Sequence, residues 1–211
     1  MPRAARTRLP AHERELQLLH AATTVFARSN YRLAGTADIA REAGVSEPVI
    51  YKHFPSKQAL FLRILQRIGA RIPAIWTPVA AAETGDSLAV LRRIRRVYFD
   101  SLRAHADDLK IQFQALAESD DPEIAHQLRE NHTAYVRFFA RLIRRGQREG
   151  VIRADVDPYA AGWLLNGVGF TLTLVRLLGF DQSVGEQRIT KMMDLCLDAL
   201  TRPKNRADDA R

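Results

Sequence analysis

The chain has 211 residues, 46% of them hydrophobic and 27% charged, with a formal net charge of +8. That length holds two hydrophobic cores but not three, and the composition excludes wholesale disorder. The positive excess favours a polyanionic partner, although a charge of this size also serves plain solubility. The single cysteine, Cys196, cannot form an intrachain disulfide, and its apolar neighbours fit a packed helix in a reducing, cytoplasmic compartment. Met1 to Leu9 carries Arg3, Arg6 and Arg8 with no apolar run behind them, unlike a secretory signal. The most apolar stretch, Trp163 to Phe180, is interrupted by Asn166, Arg176 and three glycines, so a buried interface helix is expected rather than a membrane span.

Helix punctuation recurs along the whole chain, and no alternating segment is bounded by hairpin turns, so the fold class is all-α. The first helix is predicted over Ala11 to Ser29, with Leu18, Ala22, Val25 and Phe26 on one stripe. Three shorter segments follow near 36–43, 47–53 and 57–72, separated by Gly44-Val45-Ser46 and Pro55-Ser56. Pro73 and Pro78 are expected to end the third of them. Longer helices are predicted over Asp86 to His105, Ala106 to Ser119, Pro122 to Glu149, Pro158 to Leu178 and Val184 to Thr201. Asp121-Pro122 and Asp157-Pro158 each set an N-cap acceptor before a proline whose missing N–H costs nothing at that position. Ser183 and Glu186 form a capping box.

Residues 36–54 have a steric logic of their own. Ala40 lets two short helices cross closely, and Gly44 supplies the positive φ of a sharp turn between them. Val45 and Ile50 close a small core, flanked by Ile39 and Phe54. Ser46 is expected to cap the second helix, Glu47 to sit at its positive end, and Pro48 to be tolerated in its first turn. A helix of this kind lies in the major groove of DNA with its N-terminal residues towards base edges. Glu47 can accept from cytosine, and Pro48 and Val49 can touch thymine methyls. Tyr51, Lys52, His53 and Lys57 are placed for phosphates. For Arg3, Arg6 and Arg8 two readings stand: an arm that follows the backbone or enters the minor groove, and an idle one.

The run Ala40 to Phe54, followed by Ser56-Lys57-Gln58-Ala59-Leu60-Phe61, resembles the signature of TetR-family regulators, and the likeness covers roughly residues 14–65. The resemblance implies a subunit of about nine helices, with a three-helix DNA-binding head and a larger helical body. It also implies a homodimer formed mainly through the last two helices, and repression of a palindromic operator that a small ligand relieves. Carried over by position, Thr36, Glu47, Pro48, Val49, Tyr51, Lys52, His53 and Lys57 match places that touch DNA in the family. Ala34 and Gly35 depart from the usual Thr-Thr or Thr-Ser pair, Asn30 replaces a glycine, and Ala37 replaces a longer base-reading side chain. The organisation that follows is a basic arm over 1–10, a DNA-binding domain over 11–71 with its helix-turn-helix at about 34–53, a regulatory and dimerisation domain over 72–203, and a polar tail over 204–211.

In the body, Gly162, Gly167 and Gly169 allow a close helix approach, and Leu165 and Leu172 supply packing surface beside them. Ile189, Met192, Met193, Cys196 and Leu200 recur at helical spacing on the next helix. Gly162, Leu165, Gly169, Leu172, Ile189, Met193 and Cys196 are the dimer-interface candidates, with packing inside one subunit as the alternative. Trp76, Phe99, Phe113, Phe139, Trp163, Asn166 and Phe170 are candidates for lining a pocket for a lipophilic or aromatic effector, or for plain core. Two arginine clusters, 92–96 and 137–148, read as solvated faces or as sites for an anionic ligand or further DNA. No enzyme, cofactor or metal is expected. Glu123-Ile-Ala-His126 has one copy of a motif that needs two, and Gly167-Val-Gly169 follows no strand.

Overall fold

The computed structural model describes residues 9–201, except the side chains of Leu102, Arg103, Asp181, Gln182, Ser183, Glu186 and Ile189. Among the described residues there are nine helices and no strand, the all-α class the punctuation predicts. They are α1 Ala11–Ser29, α2 Thr36–Glu42, α3 Glu47–His53, α4 Lys57–Ala82, α5 Ser87–Ala104, α6 Ala106–Ala117, α7 Pro122–Arg148, α8 Pro158–Leu177 and α9 Asp181–Leu200. Backbone contacts divide the chain into two compact units. The first runs through Arg67 and takes in Lys110–Gln127; the second comprises Ile68–Leu109 and the chain from Leu128 onward.

The caps predicted at Asp121 and Asp157 form, whereas the side chains of the expected Ser183–Glu186 box lie outside the described set and α9 begins before them, at Asp181. Asp121 Oδ1 accepts from the N–H groups of Glu123 at 3.0 Å and Ile124 at 3.1 Å, and Asp157 Oδ1 accepts from Ala160 at 2.7 Å. Asp86, which the sequence reading placed at a helix start without a role, caps α5 through Ala89 N–H at 2.9 Å. Each satisfies backbone donors that a helix start leaves unpaired.

Pro73 and Pro78 do not end α4, contrary to expectation; the helix continues through both to Ala82. An interior proline costs about 3 kcal/mol. Ile72 and Trp76 occupy the same turns and are only 7% and 4% exposed. Burying each is worth about 1.5–3 kcal/mol, which offsets much of the cost of the two prolines. Gly69, four residues before Pro73, also carries no Cβ, and the amide of Asn131 fills the space one would take. At the other end of the chain, α9 starts at Asp181 rather than Val184 and is interrupted by Gly185 at φ 66° and ψ 158°.

The core of the first unit is built from the inner stripe of α1, with Leu18, Leu19, Ala22, Val25 and Phe26 all buried, against Ile39, Ile50, Leu60 and Phe61. Phe26 meets Phe61 edge-on at 5.3 Å, and Tyr31 lies 4.4 Å from Phe61. In the second unit Trp76 is the hub of an aromatic cluster, with ring centroids 4.8 Å from Phe139, 5.3 Å from Phe138, 5.6 Å from Tyr135 and 6.0 Å from Tyr98.

Candidate nucleic-acid interface

The α2–α3 unit is held at three levels. Ala40, 4% exposed, lies at the crossing and its carbonyl accepts from Val45 N–H at 2.9 Å. Gly44 takes φ 64°, the left-handed turn that a Cβ would disfavour. Ile50 on α3 is fully buried and Phe54 nearly so, which turns the opposite face of α3 outward. That outward face presents Pro48, Tyr51 and Lys52, all exposed, with Glu47, Val49 and His53 half-buried at its margins.

A polar chain ties the outer face of α3 to the start of α2. Thr36 Oγ1 donates to Glu47 Oε1 and lies 3.1 Å from the Tyr51 hydroxyl. With its one proton on the carboxylate, Thr36 must accept from Tyr51. Thr36 therefore positions two α3 side chains rather than only facing DNA itself. Ser46 stands at the N-cap position of α3, but its hydroxyl makes no capping bond; its carbonyl alone accepts, from Val49 N–H at 2.9 Å. The expected side-chain cap is therefore absent, at a residue exposed to water.

Lys57 opens α4, and its ammonium is directed back into the protein. Nζ donates to the carbonyls of Tyr31 at 2.9 Å, Ala34 at 3.1 Å and Arg32 at 3.3 Å, and lies 4.8 Å from the centre of the Tyr31 ring. An ammonium has three donors, and all three are engaged. Lys57 thus fastens the loop between α1 and α2. Asn30 takes φ 126° at the start of that loop, the unusual geometry expected of a residue in a glycine's place, and its Oδ1 accepts from Leu33 N–H at 2.9 Å.

Two residues that sequence reasoning passed over complete the surface. Gln17 on α1 accepts from Arg14 Nη1 at 2.7 Å and donates to Ala43 O at 2.8 Å, locking α1 to the end of α2. A cleft of about 710 Å³ opens between the start of α1, from Leu9 to Arg14, and the residues Val45, Ser46, Val49, Lys52 and His53. Arg14 and Lys52 make it cationic. Only the i, i+3 spacing of Arg14 and Gln17 signals this in the sequence. Arg3, Arg6 and Arg8 lie outside the described residues.

This is the geometry of a helix-turn-helix, and residues 18–64 match the family model of bacterial regulatory proteins of the tetR family. The segment that carries this geometry is that of the tetR family. Among its relatives is the transcriptional activator FasR of Mycolicibacterium smegmatis, 37% identical over 127 residues that span 58% of this chain and 55% of FasR. The matched stretch thus spans little more than half the length of that curated relative. The transcriptional repressor KstR2 of Rhodococcus jostii is 25% identical over 91% of this chain and 93% of its own. The likeness in fold extends to the transcriptional regulator FadR of Bacillus subtilis, solved with stearoyl-CoA, at TM-score 0.72 and 20% identity over 88% of this chain and 97% of that one.

In the second unit the candidate residues separate into two groups. Trp76, Phe139 and Asn166 are buried, Phe99 is half-buried, and half-buried Phe170 stacks on His132 at 5.1 Å. Asn166 Nδ2 lies 3.4 Å from His132 Nδ1. Burial lowers the imidazole pKa of His132, and the Asn166 hydrogen bond opposes this. Phe113 belongs to the first unit. Trp163 is 55% exposed, on the outer face of α8 rather than in the cluster.

The interface candidates are likewise divided. Gly162 is taken up inside the subunit: a Cβ there would sit 2.8 Å from the Val136 carbonyl of α7. Leu165, Leu172 and Met193 are buried as well, while Gly169 faces Tyr98 and Cys196 is half-buried. The side chain of Ile189 lies outside the described set. What α8 leaves exposed is Tyr159, Trp163, Leu164, Leu174 and Leu178, and α9 adds Leu195 at 70%. Of the small residues expected to admit a second subunit, Gly162 and Gly169 face a neighbouring helix of their own chain, while Gly167 stays open.

Proposed function

We propose that this TetR-family chain is a cytoplasmic transcriptional repressor that binds a near-palindromic operator as a homodimer and is released by a small lipophilic or aromatic effector. The observation that carries the reading is the outward face of α3, fixed from behind by Ile50 and Gly44 and from the side by Thr36. On it Glu47, Pro48 and Val49 read base edges, while Ser46, Tyr51, Lys52 and His53, with Arg14 beside them, hold phosphates. The N-terminal arginines Arg3, Arg6 and Arg8 extend that contact. The regulatory and dimerisation part is the chain over 72–203 apart from Lys110–Gln127, which belongs to the first unit.

The exposed apolar face of α8 and α9 supports the dimer. Trp163, Leu164, Leu174, Leu178 and Leu195 are each at least 45% exposed, large apolar side chains of the kind that mark an interaction surface when they cluster. A second copy covers it in a two-fold, self-complementary way. Two recognition helices then read two half-sites about one helical turn apart, which a single short helix cannot do selectively. FasR is named an activator and KstR2 a repressor, so the sign of regulation is tested directly.

The test combines operator selection from random DNA, footprinting and a reporter. A two-fold symmetric footprint with lowered reporter output supports the reading; an asymmetric footprint defeats the dimer, and raised output defeats repression. Leu174→Asp should give a monomer in analytical ultracentrifugation with specific DNA binding lost.

A further inference from the structure

Four arginines crowd α5 between residues 92 and 96, and only one of them turns inward. Arg92, Arg93 and Arg96 are exposed, whereas Arg95 is half-buried, four residues after buried Leu91 and three before Tyr98. Its Nη1 donates to Thr190 Oγ1 of α9 at 2.6 Å. Its Nε is buried and has no acceptor. Among the described residues Arg95 has no ion pair, unlike Arg71 with Asp108, Arg145 with Glu149 and Arg153 with Asp155 in the same unit.

A guanidinium half-buried without a counter-charge is costly, and a buried donor without an acceptor adds to that cost. The position of the bond to Thr190 gives the leftover chemistry a shape. Nη1 is the terminal nitrogen on the far side from Nε–H; with it occupied, the Nε–Nη2 edge stays open, and that planar pair of parallel N–H groups matches a carboxylate. The neighbourhood has the same imbalance. Trp76, packed 6.0 Å from the Tyr98 ring, also holds a buried indole N–H with no acceptor. Two buried N–H donors without an acceptor, on Arg95 and Trp76, thus belong to residues linked through Tyr98, one by helical spacing and one by ring contact.

We propose that Arg95 is the anion anchor of the effector site, and that the effector is an amphiphilic carboxylic acid. Its carboxylate takes the Nε–Nη2 edge of Arg95, and its apolar part packs against the ring cluster centred on Trp76. This rests on the ligand-responsive reading above and narrows it from lipophilic to acidic and lipophilic. Among the described residues, one half-buried cation without an ion pair and with one planar edge suits a singly charged carboxylate better than a phosphate, since Arg71, Arg145 and Arg153 already have carboxylate partners.

Calorimetric titration of the full chain with dodecanoate, dodecyl phosphate and dodecan-1-ol, below their aggregation limits, tests it. The wild type should bind dodecanoate at least about tenfold more tightly than the alcohol, and release operator DNA with the same preference. Arg95→Met should bind the acid and the alcohol alike; should that variant not fold, Arg95→Lys, which keeps the charge but lacks the planar edge, should lose at least about threefold of the preference. Tighter binding of dodecyl phosphate overturns the carboxylate. Equal release by acid and alcohol overturns Arg95 and leaves the ligand-responsive reading standing. Failure of every compound to bind or release DNA overturns both.

Discussion

Replacing Lys57 by methionine keeps most of the apolar stem of the side chain and removes its ammonium, so it isolates what that group does. In the structure that group serves three carbonyls, at 2.9, 3.1 and 3.3 Å, and faces the Tyr31 ring. A hydrogen bond to a charged group is worth about 1.5–3 kcal/mol when buried. Lys57 is only half-buried and water can replace part of the loss, so the three bonds together should contribute about 2–3 kcal/mol rather than their sum. For a chain of this size that lowers Tm by roughly 4–12 °C. The assay pairs thermal denaturation with operator affinity measured across salt concentrations, at a temperature where the variant is folded. A phosphate contact would change the logarithmic salt slope by about 0.9. The loop-fastening role predicts a large fall in Tm with the slope unchanged. An unaltered Tm with a slope reduced by about one would refute the reasoning and return Lys57 to the DNA backbone.

Gly162→Ala places a methyl 2.8 Å from the Val136 carbonyl and 3.1 Å from its side chain; the α7–α8 crossing must open, at a cost of about 1–3 kcal/mol by urea denaturation, whereas Gly167→Ala, open within 4 Å inside the subunit, should leave stability unaffected. His132 has a depressed pKa because it is buried, so the unfolded chain binds the proton more readily than the folded one. Its stabilising contribution is full above about 6.5 and is lost as pH falls towards the lower folded value. Tm measured across that window should fall more steeply for the wild type than for His132→Phe; parallel curves would show that His132 is not the group responsible. Thr36→Val removes the bridge between Tyr51 and Glu47, so operator discrimination should weaken while Tm changes little. Competition between operator and mismatched sites measures it.

Helix starts were legible because they are written in adjacent residues. Asp121-Pro122 and Asp157-Pro158 need no knowledge of the rest of the fold to place an acceptor beside free N–H groups. Gly44 and Asn30 were legible for the same reason, since a positive φ is a local property of the backbone. The helix-turn-helix was therefore readable from its own residues. What was hidden depends on partners distant in sequence. Pro73 and Pro78 mark a break by local rules, and only the burial of Ile72 and Trp76 overrides them. Along α8, an apolar side chain carries no sign of which side of the helix meets its own subunit. Gly162 and Leu165 look as suited to an outer face as Trp163 and Leu174, and α7 decides which pair is buried. Lys57 and Lys52 are the same residue type five positions apart; the three carbonyls that claim Lys57 belong to residues more than twenty positions earlier.

The first unit is not continuous in sequence. Gln114 donates to the Phe26 carbonyl at 2.8 Å, Arg32 meets Glu118 at 2.7 Å, and Gln58 reaches Asp121 at 2.7 Å. The stretch that supplies those partners is separated from Arg67 by more than forty residues of the other unit. A chimera cut after α4's first turns would thus transplant a head that has lost three of its own fastenings. Exchange of DNA specificity between such proteins by recombination must bring two segments across together. Substitution on the outer face of α3, which disturbs none of those bonds, is the easier route to a new operator.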